Sequence, residues 1–417
     1  MLNEKLHGCS SIRIQHFAEK PIVGGVGIVS PSGLHPDAVV DAVVDNCSVF
    51  ESPAFSSDHF SDRRVALVRN YEARNYINPP RAARYMSRET QFAVAALGLC
   101  IDDFTKRSGA ALFSWIDPYD IALFAGTGSS GISLDDIMPM LINSCDPQSG
   151  RFDPVRFSSR GLSKLNPLTS FRILPNMPPS VAVIYGGVKG ENLIFNPWEG
   201  SAMSGFQEAI HALTEGRSRL AISGGSDCKT HSDAFIAFDE YGLFSRGPFV
   251  MSEGSAYLAM YLEESELTAI INPYCRVAGM ASMTVYGDTI SAPMSSEMCE
   301  GIMMGALSSA RLSSDEIDCV ISSEDFGFQD LEEHEALNAI FREAGEGKGS
   351  TIDNRLPRII HPRKVFGNAV ASAGHFSLSL GAAVLDSADE RAAGMERIMV
   401  NSFGFGSEKH CVILEKP

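Results

Sequence analysis

Short apolar runs rich in branched residues alternate with Ala-rich segments of helical period from one end of this 417-residue chain to the other. This alternation constrains the fold more than any other feature. The stretches 23–30 (VGGVGIVS), 121–125 (IALFA), 219–223 (RLAIS), 275–280 (CRVAGM), 319–322 (CVIS) and 398–403 (IMVNSF) read as strands, the last as the final one. Between them, 88–100, 204–215, 297–310, 331–344 and 372–385 read as helices. The first of these carries no charge after Glu89, which predicts burial on most sides. Strands separated by helices need crossover connections, so the spacing predicts parallel sheets covered on both faces, an α/β fold.

Composition narrows the function classes. The net charge is −17, with 44% hydrophobic and 20% charged residues, which fits a globular chain and excludes a disordered one. An acidic surface repels phosphate backbones, so no nucleic-acid partner is expected. The nine Cys form no CxxC pair, and His211, His334, His361 and His410 stand at no ligand spacing, so neither metal nor cofactor is expected. The first 20 residues hold no apolar core, and no stretch reaches about 18 apolar residues. These features predict a cytoplasmic protein without a membrane partner. GTGSSG at 126–131 lacks the Lys-Ser/Thr of a phosphate loop and reads as a strand-to-helix turn. Met138, Met140, Met303 and Met304 read as core filler or, alternatively, as the lining of an adaptable apolar surface.

From Asn176 the chain reads NMPPSVAVIYGGVKGENLIFNPWEGSAMSGFQEAIHALTEGRSRLAISGGSD. MSEGSAYLAMYLEES (251–265), RKVFGNAVASAGH (363–375) and NSFGFGSEKH (401–410) follow in that order. This series resembles the β-ketoacyl synthases of fatty-acid and type II polyketide pathways, over nearly the whole chain. The resemblance implies a thiolase-like, five-layered αβαβα fold of two pseudo-duplicated halves, 1–265 and 266–417.

The departures from the family pattern carry the functional reading. The family's nucleophilic Cys stands at the start of a helix, and ungapped counting from Gly216 and Gly224 places Glu199 there. A carboxylate cannot form the thioester that condensation requires. Acidic residues suit helix starts, so Glu199 is expected to be part-buried and held by backbone N–H groups. The first family His maps to Ser322 or, less well, Ser323, and the second to Asn368. A second register using Gly374 and His375 loses the trailing small residues. The family Lys maps to Arg363. Every catalytic position has changed identity.

Such a chain resembles the chain-length factors, or ketosynthase-β subunits, of type II polyketide and aryl polyene systems. The resemblance implies a non-catalytic subunit that forms a heterodimer with an active ketosynthase, shapes its acyl tunnel and works with an acyl carrier protein. The alternative is a ketosynthase-like decarboxylase of malonyl-carrier protein that supplies starter units. By the same resemblance, tunnel residues would be Ser133, Leu134, Met138, Leu168, Thr169, Leu174 and the gating Phe405. The dimer strand would be Asn192, Leu193, Ile194, Phe195 and Asn196. Ser407 and Glu408 replace the usual Gly and Thr after Phe405, and a Gly-to-Ser change predicts a stiffer loop.

Overall fold

The computed structural model describes residues 11–55, 57–128, 134–286, 294–327, 330–346, 357–389 and 394–417. In its first half lie β1 (Pro21–Val29), β2 (Ile121–Thr127), β3 (Asn192–Phe195), β4 (Leu220–Cys228) and β5 (Met251–Leu262). The second half holds β6 (Cys275–Thr284), β7 (Cys319–Ile321), β8 (Arg358–Ile360), β9 (Arg397–Ser402) and β10 (Glu408–Glu415). Their spatial order is β3-β2-β4-β5-β1 in one half and β8-β7-β9-β10-β6 in the other. Both halves therefore place third, second, fourth, fifth and first strands side by side, and they meet where β1 pairs with β6 at Ile22–Arg276 and Val23–Cys275.

The wholly parallel expectation needs correction. β2 is parallel to β3 and β4, and β7 is parallel to β8 and β9, but β5 runs antiparallel to β4 and β1, and β10 antiparallel to β9 and β6. The link from β9 to β10 spans only 403–407, and a parallel return would need a crossover of about a dozen residues. β5 and β10 are also strands that the sequence did not disclose, and β10, not the 398–403 run, closes the chain.

Helices α1 (Arg88–Ser108) and α2 (Met177–Gly186) cover the outer face of the first half. Helix α3 (Glu199–Thr214) lies centrally, while α4 (Ser296–Ala310) and α5 (Asp330–Glu346) cover the outer face of the second half. Helix α6 (Ala373–Asp386) joins α3 in the central layer, giving an αβαβα stack. Ser87 Oγ caps α1 by accepting from the Thr90 N–H, and Gly109 ends it in the left-handed conformation. α1 lies so close to β1 that a side-chain carbon at Gly27 would collide with the backbone of Ala96 and Cys100. Every residue of α6 from Ala373 to Leu385 is buried, as befits a helix with a sheet on either side. The central core joins α3 and α6 through Met203, Phe206, Ile210, Phe376 and Leu380.

Candidate functional site

Glu199 is the first residue of α3 and is wholly buried in the central layer. Its carboxylate is not held by backbone donors, contrary to the expectation from its helix-start position. Arg363 Nη2 donates to Glu199 Oε1, and Ser402 Oγ donates to the same oxygen at 2.8 Å. The reason lies in what surrounds the helix start. Arg363 opens the short helix Arg363–Phe366, Ser402 ends β9, and the loop after β9 seats Gly404 against the carboxylate. A side-chain carbon at Gly404 would overlap Glu199, so glycine is required there. Both partners of the ion pair have side chains only 1% exposed.

Arg363 faces a second carboxylate, with Nη1 3.7 Å from Asp325 Oδ2. Burial pushes the Asp325 carboxyl up to about 7, although Arg363 and Asn368 both favour its charged form. Burial also works against the charge on Arg363, but Glu199 and Asp325 more than offset it and raise its pKa. Asn368 Nδ2 donates to Asp325 Oδ2 at 2.8 Å, and Asn368 Oδ1 accepts from the Val370 N–H at 2.8 Å. Asn368 is thus a satisfied buried amide beside the ion pair. Asp325 joins this group although sequence reasoning passed it over. The only signal was the acidic pair in SSED, where the family pattern had broken down.

Ser322 and Ser323 serve the backbone. Ser322 Oγ accepts from the Glu324 N–H at 3.1 Å, and Ser323 Oγ accepts from the Phe403 N–H at 2.9 Å. The Ser323 N–H in turn donates to Glu333, which also accepts from Asn401 Nδ2 at 2.8 Å. Burial raises the Glu333 carboxyl to about 7. Lys409, wholly buried in β10, donates to the Phe403 and Gly404 carbonyls, and burial lowers it to about 8. Ser402, Lys409, Glu333 and Asn401 were likewise missed, because they come from distant strands and helices. His375, used in the rival register, lies in α6 with Nε2 2.9 Å from Ser223 Oγ. Burial, with a lesser contribution from His410, depresses it to about 3, so the imidazole is neutral.

The residues expected to line a tunnel are scattered in their surroundings. Ser133 lies outside the described residues, and Leu134 begins the helix Leu134–Ser144. Met138 and Leu174 are exposed on the isolated chain, Leu168 is half-buried and Thr169 is buried. Phe405 is wholly buried among other aromatic rings. In β3, Asn192 and Leu193 are exposed while Ile194 and Phe195 are half-buried. β3 pairs with β2 alone among the described strands, so its other edge is open. Asn196 ties the end of this strand down by donating to the carbonyls of Thr127 and Gly128 at 2.9 and 3.0 Å. Among the described residues, no group of three or more His, Cys, Asp or Glu is placed to hold a metal ion. No described helix is long and apolar enough to cross a membrane.

Two halves of one strand order, stacked about a central pair of helices with the site at the start of one of them, define a thiolase fold. The chain belongs to the β-ketoacyl synthase family: the model of the Beta-ketoacyl synthase, N-terminal domain, matches residues 21–259. A Granaticin polyketide putative beta-ketoacyl synthase 1 from Streptomyces violaceoruber is 23% identical over 348 residues, covering 79% of this chain and 78% of that protein. Among solved structures, a beta-ketoacyl synthase from Burkholderia phymatum superposes with a TM-score of 0.76 at 16% identity, covering 96% of this chain and all of the other. The ishigamide ketosynthase/chain length factor gives 0.71 at 17% identity over 96% and 99% of the two chains. A type II PKS acyl-carrier protein in complex with its ketosynthase also gives 0.71, at 14% identity over 96% and 100%.

Proposed function

We propose that this chain is a non-catalytic, chain-length-factor-type subunit that pairs with an active ketosynthase and works on chains carried by an acyl carrier protein. The observation that carries the reading is the Glu199–Arg363 ion pair. A carboxylate at the nucleophile position has no sulfur with which to form a thioester, here it is paired with a buried guanidinium, and its neighbours Asn368 and Ser323 supply no imidazole. Decarboxylative condensation needs a thiolate nucleophile, and position 199 supplies a carboxylate instead, whose charge engages the Arg363 guanidinium.

The open edge of β3 supports the pairing half of the proposal. An unpaired edge invites a strand from a second chain. Leu193 is exposed on that strand, and elsewhere the first half also exposes Ile142, Phe152, Val155 and Ile184, the last at 75%. An exposed apolar side chain on an unpaired edge strand suits association with a second chain. We also propose that 1–265 and 266–417 are the two units of the duplicated fold, each built on one copy of the repeated strand order.

The test is co-expression with a ketosynthase that retains Cys and both His. The proposal expects a 1:1 complex on size-exclusion chromatography with light scattering. A stable homodimer that ignores the ketosynthase would overturn it.

A further inference from the structure

The loop 403–407 that seats Gly404 on the Glu199 carboxylate also carries Phe405, and the residue before Glu199 is Trp198. Both rings enter one aromatic cluster. Phe405 meets Phe249 and Phe238 edge-on, with ring centroids 5.4 and 5.7 Å away. Trp198 meets Phe238 edge-on at 6.2 Å, and Phe249 stacks on Phe244 at 5.2 Å. Phe235, Phe60 and Phe55 extend the packing away from the ion pair. The rings come from four separate parts of the chain, so the cluster fastens the loop and Trp198 to the 235–249 and 55–60 segments. Gly406, at φ +96°, is pressed so closely on Trp198 that any side chain there would strike it. The loop therefore cannot swing without displacing Trp198 and the first turn of α3.

We propose that this cluster is a fixed plug that closes this chain's own approach to position 199 against a long, thiol-terminated acyl carrier arm. The inference rests on the reading of the chain as a ketosynthase relative without its nucleophile, and goes beyond it. On this account a restored thiol at 199 would still be unreachable until Phe405, Trp198 and the rings packed on them moved aside. Well-packed aromatic clusters have few voids and resist local opening.

The experiment labels arginines with phenylglyoxal in the full-length chain and reads each site by peptide mass spectrometry. Arg81, exposed on the surface, is the internal reference. In the native chain Arg363 should stay unmodified while Arg81 reacts to completion. Phe405→Ala should raise labelling of Arg363 by about tenfold through local opening. Phe92→Ala, which removes a buried ring from the outer layer, should leave Arg363 protected and so separates local opening from general loosening. If Phe405→Ala fails to fold, the milder Phe249→Leu decides. The proposal is overturned if native Arg363 reacts at the pace of Arg81. It is equally overturned if Arg363 stays protected in both cluster variants, or if Phe92→Ala exposes it as much. The measurement needs no partner, so failure to form the 1:1 complex would count against the proposed function alone.

Discussion

Arg363 and Glu199, 164 positions apart in the chain, form an ion pair in which each side chain is only 1% exposed. Removing Arg363 strands the Glu199 charge, and removing Glu199 leaves Arg363 only the more distant Asp325 carboxylate, whereas removing both leaves neither member of the pair uncompensated. Glu199→Gln should therefore destabilise the fold by about 3–5 kcal/mol. Glu199→Gln with Arg363→Met should cost clearly less than the sum of the two single changes. Urea denaturation of the four proteins in the cycle checks this.

Glu333 gives a pH dependence of fixed sign. Burial raises its carboxyl from 4.5 to about 7, so between those values the folded chain keeps a proton that the unfolded chain has released. The contribution of Glu333 to stability is therefore full below pH 4.5 and falls as pH rises towards 7. Glu333→Gln cannot titrate. Relative to that variant, the native chain should lose up to about 1.4 kcal/mol per pH unit across the window. Urea midpoints of both proteins at pH 5, 6 and 7 measure the difference.

Leu193 is exposed on the open edge strand, so changing it should spare the monomer and harm the pairing. Leu193→Asp is expected to alter monomer stability by no more than about 0.5 kcal/mol. It should weaken binding to the ketosynthase at least about tenfold, because the carboxylate loses its water in the interface. Titration calorimetry with the purified partner reads both the affinity and its loss.

Leu168 tests whether the chain sets product length. It is half-buried next to buried Thr169, so truncation leaves space without emptying the core. Each admitted methylene gains about 0.8 kcal/mol of burial. The complex carrying Leu168→Ala should release products longer by one or more extension units, as read by mass spectrometry. A subunit that only scaffolds its partner would leave the length unchanged.

How far the sequence reached follows from which contacts are local. α6 was legible because thirteen consecutive buried residues leave a run from Ala373 to Leu385 that is small or apolar apart from His375. β5 was not, because in MSEGSAYLAMYL the opening Met is followed by Ser, Glu and Gly, residues whose strand position is fixed only by pairing with β4 and β1. The sequence located Glu199, Arg363 and Asn368 as positions, but it could not show that the first two meet. That pairing brings together α3, the end of β9 and the short helix Arg363–Phe366 that follows β8. Local propensity favoured backbone donors for Glu199, and the tertiary partner Arg363 overrode it. Asp325, Ser402 and Lys409 stayed hidden for the same reason, since none has a local pattern that announces a buried charge.

Intact-mass spectrometry of the co-expressed complex, after incubation with acyl- and malonyl-carrier protein, addresses the absence of a nucleophile most directly. The account predicts that the acyl adduct appears on the ketosynthase alone, with this chain at its unmodified mass. An acyl adduct on this chain would contradict it.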